Sequence, residues 1–260
     1  MTATATSTEY NQLIKTAKEC NALGSTISLL HWDQEVMMPK NGIEFRADQI
    51  SLTSRLYHEM KTNPKNGDLI SACEADDDLV GDPTSASAAN IREIRHGYDR
   101  ATKLPASLVE EEAMLSSRGQ SAWAEARKNN DFSEFQPWLE KIVNLLQRKA
   151  ECYGWSEGGE PWDALAEDYE PGCTAASVSE VFTPLRVKLQ SLLDDLMGSD
   201  KKPSNKFNEL VLPIDHQKKF VNAIASQIGF DFQSGRLDES THPFCSGTHC
   251  NDVRDRKSVV

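Results

Sequence analysis

The chain has 260 residues, of which 38% are hydrophobic and 26% are charged. This length suffices for one large domain or two small ones, and the composition is that of an ordinary water-soluble protein. The formal net charge of −12 disfavours nucleic acids and anionic membrane surfaces as partners, because both attract a basic face. No run of 18 apolar residues occurs, so we expect no transmembrane helix.

The first residues and the cysteines bear on the cellular compartment. Residues 1–7 are rich in Ala and Thr and lack the basic start and apolar stretch of a secretory signal. We expect them to form a short disordered lead. The six cysteines are scattered along a chain that is large enough to have its own core. This pattern favours reduced thiols over a disulfide framework, and therefore a cytoplasmic protein.

Helical periodicity begins near Ser7 or Thr8, where apolar residues recur three and four positions apart. Gly24 is predicted to separate this first helix from a second one, because glycine weakens a helix interior. Asn41, with Glu44 three residues later, has the form of a capping box. This pair predicts the start of a third helix.

The later part of the chain continues the helical pattern. Trp155–Gly172 is rich in Gly, Pro and acidic residues and is predicted to form a long loop with at most one turn. Thr174 or Ser177 then begins another helix, and Pro213 opens a last helix that Gly229 stops. No strand-like alternation precedes residue 230. We therefore predict a mainly α, multi-helix, elongated body with an irregular or short-strand segment after residue 230.

The pattern changes after residue 230, where polar and ionisable residues crowd between glycines and one proline. Ordered loops with such residues often carry binding sites. His242-Pro243-Phe244, followed by Asp252-Val253-Arg254, resembles two motifs of the carboxypeptidase Taq family of zinc metallocarboxypeptidases. These are the His-Pro-Phe and Asp-x-Arg-x-Thr motifs, in the family's order and at about its spacing. The surrounding run from Arg236 to Phe244 makes the resemblance specific.

The resemblance extends towards the N-terminus. Leu30-His31-Trp32-Asp33 and the segment 163–172 are similar to the corresponding parts of the family, and the similarity covers residues of about 7 to 254. Arg256 stands where the family has Thr, and nothing after Arg254 matches. We therefore expect the helical N-terminal part of a peptidase domain over residues 8–254 and an unrelated tail over residues 255–260.

The resemblance implies a mostly helical, cytosolic, usually homodimeric zinc peptidase that removes C-terminal residues from peptides. In the family, a His-Glu-x-x-His motif about twenty residues after the Asp-x-Arg motif supplies two zinc ligands and a general base, and a downstream Glu completes the site. The chain has no two histidines four positions apart, and Thr62 stands where the second His would follow His58-Glu59. We therefore predict no catalytic or metal-binding residue in this chain, no activity of the chain alone, and zinc only in a full-length family member.

Four residues remain as candidates for a substrate pocket: His242, Phe244, Asp252 and Arg254. A carboxypeptidase must recognise a terminal carboxylate, and a guanidinium does this with two parallel hydrogen bonds. Arg254 is predicted to make this contact, with Asp252 orienting it. The alternatives are a purely structural ion pair between these two residues and, for His242, a backbone hydrogen bond that holds the loop.

Two other sets of residues have competing interpretations. Zinc could be held by a set of suitable side chains near the end of the chain, namely His242, Cys245, His249 and Cys250. Their spacing differs from that of structural zinc sites, which favours reduced cysteines in a loop. Trp32, Asp33 and Gln34 are interpreted as packing and capping residues.

Three functional hypotheses follow. The first is a truncated metallocarboxypeptidase-like protein, whose full-length form would bind peptide C-termini and form homodimers. The second is a non-catalytic helical module that pairs with full-length subunits. The third is a truncated or mis-spliced gene product, which the mismatch after Arg254 favours.

Overall fold

The computed structural model describes residues 8–201, 203–206 and 210–258. Within these residues the chain forms ten α-helices, one short 3-10 helix at Lys40–Gly42 and a three-stranded sheet. The helices are α1 (Thr8–Val36), α2 (Ile43–Lys61), α3 (Pro64–Glu74), α4 (Asp77–Val80), α5 (Ala86–Thr102), α6 (Ala106–Asn129), α7 (Phe132–Tyr153), α8 (Pro161–Ala166), α9 (Ala175–Gly198) and α10 (Ile214–Gln227). The strands are β1 (Gly235–Ser240), β2 (Phe244–His249) and β3 (Asp252–Ser258).

The predicted fold class, mainly α with a short-strand segment after residue 230, is confirmed. The expected disordered lead, residues 1–7, lies outside the described residues. Among the helices that the structure describes, none is long and apolar enough to cross a membrane.

The described residues divide into two compact units. One contains those up to Leu145 together with those from Asp231 onward, and the other contains those of Leu146–Phe230. The single domain expected over residues 8–254 spans both units and stays a prediction. All four predicted pocket residues belong to the first unit.

The predicted break at Gly24 is wrong, because α1 continues through this residue from Thr8 to Val36. A Cβ at position 24 would lie 3.3 Å from Cε2 of Tyr57 on α2, so the glycine lets the two helices approach closely. The Ser28 hydroxyl donates to the Gly24 carbonyl, which also satisfies this turn. Packing thus offsets a helix-interior penalty of about 1 kcal/mol.

The predicted capping box at Asn41 is also wrong. The turn before α2 is a 3-10 helix, closed by a 2.9 Å hydrogen bond from the Gly42 amide to the Pro39 carbonyl. Gly42 is the N-cap of α2 and makes no side-chain capping bond. Asn41 therefore lies inside the preceding turn, where its side chain cannot cap the helix.

The core of the first unit lies where α1, α3, α4 and α5 meet. Its buried cluster consists of Leu13, Ile70, Cys73, Leu79 and Ile91. Full burial of such an aliphatic side chain stabilises the fold by about 1.5–3 kcal/mol. This cluster anchors the N-terminal part of α1, and the far end of α1 carries Trp32 and Asp33 towards the sheet.

The sheet has the strand order β1-β3-β2, with β1 parallel and β2 antiparallel to β3. The register pairs Arg236 of β1 with Arg254 of β3, and Ser246 of β2 with Arg254. Because directly paired residues share one face of a sheet, the two arginines point to the same side. The strand β3 continues past Arg254 to Ser258, so residues of the expected tail pair with β1.

The second unit contains α8, α9, α10 and the end of α7. Thr174 begins α9 as predicted, because its hydroxyl accepts from the Ser177 amide and the Ser177 hydroxyl accepts from the Thr174 amide. Gly229 follows α10 with φ of 88°, a left-handed conformation that stops a helix. Both predicted boundaries are confirmed.

Candidate substrate-binding site

A cleft of about 530 Å³ lies in the first unit between α1, α6 and the beginning of β2. Two of the four predicted pocket residues, His242 and Phe244, line it. The remaining lining side chains are mostly polar: Ser28, His31, Gln34, Glu35, Ser116, Gln120 and Ser246. The cleft thus combines apolar surface with several hydrogen-bonding groups, as ligand sites in proteins commonly do.

The ring of His242 lies edge-on to Trp123 of α6, with ring centroids 6.1 Å apart at 67°. Aromatic pairs favour this T-shaped arrangement. The Ser240 hydroxyl donates to the His242 carbonyl, which holds the turn before β2. The side chain of Phe244 is 53% exposed, so its ring provides an apolar surface at the cleft.

A reciprocal hydrogen-bond pair fixes the α1 wall of the cleft against α6. The Ser117 hydroxyl donates to Oε1 of Gln34 at 2.6 Å, and Nε2 of Gln34 donates to the Ser117 carbonyl at 3.2 Å. Gln120 also donates to a carboxylate oxygen of Glu35. The residues His31 and Glu35 were not predicted as pocket residues, although their four-residue spacing places them on one face of α1.

The two other predicted residues, Asp252 and Arg254, form an ion pair on β3. Nε of Arg254 donates to Oδ1 of Asp252 at 2.8 Å, and Nη2 donates to Oδ2 at 3.2 Å. The hydrogen bond from Arg254 is the main cause that lowers the pKa of Asp252, and a Thr248 hydrogen bond and the charge of Arg236 act in the same direction. Asp252 therefore stays ionised and holds one edge of the guanidinium.

Trp32 and Arg236 complete this cluster, and the sequence alone did not single them out as functional. The guanidinium carbon of Arg254 lies 4.2 Å from the ring centroid of Trp32, and that of Arg236 lies 5.0 Å from it. Arg236 is held by Asp238 through two hydrogen bonds of 2.8 and 2.6 Å, which raise the pKa of the guanidinium. The signal in the sequence is the matched spacing of Arg-x-Asp and Asp-x-Arg on two strands.

The cleft and the arginine cluster are adjacent. Ser246 lines the cleft, is the register partner of Arg254 and donates from its hydroxyl to the Arg254 carbonyl. Likewise, His31 lines the cleft and is the chain neighbour of Trp32. The structure thus brings the four predicted residues into one region of the first unit.

The described residues do not fit a zinc ion. They contain no group of three or more His, Cys, Asp and Glu side chains that could hold a metal. Among the alternative zinc ligands near the end of the chain, Sγ of Cys250 lies 3.6 Å from Nδ1 of its neighbour His249. This is a local contact between adjacent residues, and no catalytic step is assigned to a metal on these side chains.

Comparison with known proteins identifies the family. A sequence model of the carboxypeptidase Taq (M32) metallopeptidase family matches residues 12–257. The chain therefore belongs to this family of metallocarboxypeptidases, which confirms the resemblance seen in its motifs. The match ends three residues beyond Arg254.

Individual relatives support the same family assignment. The chain is 36% identical to thermostable carboxypeptidase 1 of Thermus thermophilus over 252 residues, which are 94% of this chain and 49% of the relative. It is similar in structure to the crystal structure of BsuCP, with a TM-score of 0.90 at 28% identity over 98% of this chain and 50% of the other. An M32 carboxypeptidase from Deinococcus radiodurans gives a TM-score of 0.79 at 31% identity, with coverages of 98% and 50%. The chain thus spans about half the length of the relatives that it matches.

Proposed function

We propose that this chain carries the carboxylate-recognition part of a metallocarboxypeptidase site, with Arg254 binding the terminal carboxylate of a peptide. The observation that supports this is the orientation of its guanidinium. Asp252 occupies the Nε and Nη2 edge, and the described residues give Nη1 no hydrogen bond. The Nη atoms are the donors that the guanidinium then offers to a second carboxylate.

In this proposal, His242 and Phe244 hold the part of the peptide that precedes its terminus. Both line the cleft beside Arg254, where Phe244 supplies apolar surface and His242 supplies a ring nitrogen for a backbone group. The full-length form would remove C-terminal residues from peptides in the cytoplasm as a zinc-dependent homodimer. Two of its zinc ligands and its general base would lie in the His-Glu-x-x-His motif of the family, which these residues do not contain.

The 260-residue chain should neither bind zinc stoichiometrically nor release C-terminal amino acids, because it has no pair of histidines four positions apart. Two measurements check this. One is the zinc content of a purified sample after dialysis against a zinc solution, and the other is amino-acid release from an acetylated dipeptide. Thermostable carboxypeptidase 1 of Thermus thermophilus serves as the positive control. One tightly bound zinc per chain, or release at the rate of that relative, would contradict the prediction.

The role of Arg254 can be tested with acetyl-Ala-Phe and with the same peptide ending in an amide. We expect the free acid to bind the chain more tightly than the amide, as measured by nitrogen-15 NMR titration. The substitution Arg254→Lys should weaken binding of the acid by about 1.5–3 kcal/mol, the size of a hydrogen bond to a charged group. Binding of the amide should not change.

Arg92→Lys on α5 is the matched control, because Arg92 is an exposed arginine outside the cleft whose partners are the neighbouring Glu93 and the Pro83 carbonyl. It should bind acid and amide as the unmodified chain does. Equal affinity of the unmodified chain for acid and amide would overturn the proposed function. A normal preference in Arg254→Lys would reassign Arg254 to a structural ion pair.

A non-catalytic helical module that pairs with full-length subunits is the second candidate. The observation that favours it is the exposure of α9, on which the structure describes no buried residue. Many of the exposed side chains on this helix are apolar, and a broad apolar face is suited to a protein partner. Co-purification with a full-length family member, together with the absence of activity in the chain alone, would favour this second function.

A further inference from the structure

Trp32 makes contacts that plain core packing does not explain. Its side chain is only 6% exposed, and its indole Nε1 is buried without a hydrogen-bond partner among the described residues. A buried donor without a partner costs free energy that a phenylalanine would avoid. An indole is therefore less favourable than a phenyl ring if the side chain only fills space.

The indole face compensates for this cost by contacting two cations. The parallel register sets Arg236 directly beside Arg254, and like charges at paired positions destabilise a sheet. Each guanidinium is neutralised by an aspartate two residues away on its own strand. Both lie within 5.0 Å of the same ring centroid, a distance at which the π system of Trp attracts a cation.

The position of Trp32 is itself fixed by its neighbours in the chain. Nη2 of Arg46 on α2 donates to Asp33 at 2.6 Å, and Nη1 donates to the Leu30 carbonyl at 2.7 Å. These bonds hold the end of α1 on both sides of Trp32. The indole is thus carried by a turn of α1 that is held on both sides, and it is itself buried.

We propose that Trp32 is a positioning residue, whose indole fixes the plane of the Arg254 guanidinium while Asp252 fixes one of its edges. Stacking uses the face of a guanidinium and leaves the donors in its plane available. When Trp32 holds the face of the guanidinium and Asp252 holds one edge, the remaining in-plane donors of Arg254 can bind a carboxylate from only one direction. Arg236 contacts the same ring, and its bonds to Asp238 keep it from competing for Asp252. This inference rests on the proposed role of Arg254.

Nitrogen-15 NMR of the full chain tests the stack without any ligand. The Arg254 Nε–H signal, assigned by its disappearance in Arg254→Lys, should be shifted upfield by the ring current of Trp32. Rotation about the Nε–Cζ bond of Arg254 should be slow. An unshifted Arg254 signal with fast rotation in the unmodified chain would overturn the inference, whether or not the Trp32 variants fold.

Two variants separate positioning from volume filling. Trp32→Phe retains an aromatic face and should keep slow rotation and the preference for acetyl-Ala-Phe over its amide. Trp32→Leu fills space without a π face, and it should lose slow rotation and bind the acid about thirtyfold more weakly, the size of a desolvated cation–π contact. Slow rotation in a folded Trp32→Leu chain would overturn the inference.

The peptide measurement also separates this inference from the proposed function. Slow rotation that depends on Trp32, combined with equal binding of acid and amide, would confirm the stack and overturn carboxylate recognition by Arg254. A preference for the acid that is undiminished in Trp32→Leu would confirm recognition and overturn the positioning role.

Discussion

Replacing Arg46 with methionine should lower the free energy of unfolding of the first unit by about 3 kcal/mol. The Arg46 side chain is 13% exposed and that of Asp33 is 34% exposed, so solvent still reaches the carboxylate that the variant leaves behind. Hydrogen bonds to a charged group contribute about 1.5–3 kcal/mol, and the variant loses the one from Arg46 to Asp33. The change also removes the bonds to the Leu30 carbonyl and to Gln49.

Arg55→Met is the matched control on the same helix. Arg55 pairs with Glu59 and Glu110, but its side chain is 34% exposed and both partners are more exposed still. Such pairs contribute about 0–1 kcal/mol. Urea unfolding followed by circular dichroism measures both variants. Equal destabilisation by the two changes would show that the Arg46 contacts add nothing beyond an ordinary surface ion pair.

The isolated chain should associate and bind hydrophobic dyes through α9. This helix carries a row of exposed apolar side chains, among them Leu185, Leu189, Leu193 and Met197. Exposed apolar patches beyond a few hundred Å² drive association, and the net charge of −12 only slows it. Leu189→Glu combined with Leu193→Glu should reduce dye binding and raise the concentration needed for association about tenfold or more, since it removes two apolar contacts.

The matched control adds the same two charges at polar, exposed positions of α9, as Ser179→Glu and Ser191→Glu. Size-exclusion chromatography over a concentration series and dye fluorescence compare the two double variants. If the control reduces association as much as the leucine variant does, net charge rather than the apolar face governs it. If the unmodified chain is monomeric and unfolds cooperatively, the apolar face of α9 is stable in water without a partner.

The sequence by itself determined the features that depend on local chemistry. Thr174 and Gly229 were predicted as helix boundaries because capping and left-handed conformation are set by a few adjacent residues. The His242-Pro243-Phe244 and Asp252-Val253-Arg254 motifs identified the family, since short motifs are read directly from the chain. The sequence also offered the Asp252–Arg254 ion pair, which the structure forms on β3.

Only the tertiary structure decided the features that depend on distant neighbours. Gly24 was expected to break α1, yet the ring of Tyr57 lies against it and the helix continues. Trp32 was interpreted as a packing residue, and its contacts with Arg236 and Arg254 arise from strands that follow it by some two hundred residues. Periodicity reports which face of a helix is apolar, but not what that face meets. The parallel register of β1 and β3, which no local pattern specifies, places both guanidiniums on the indole.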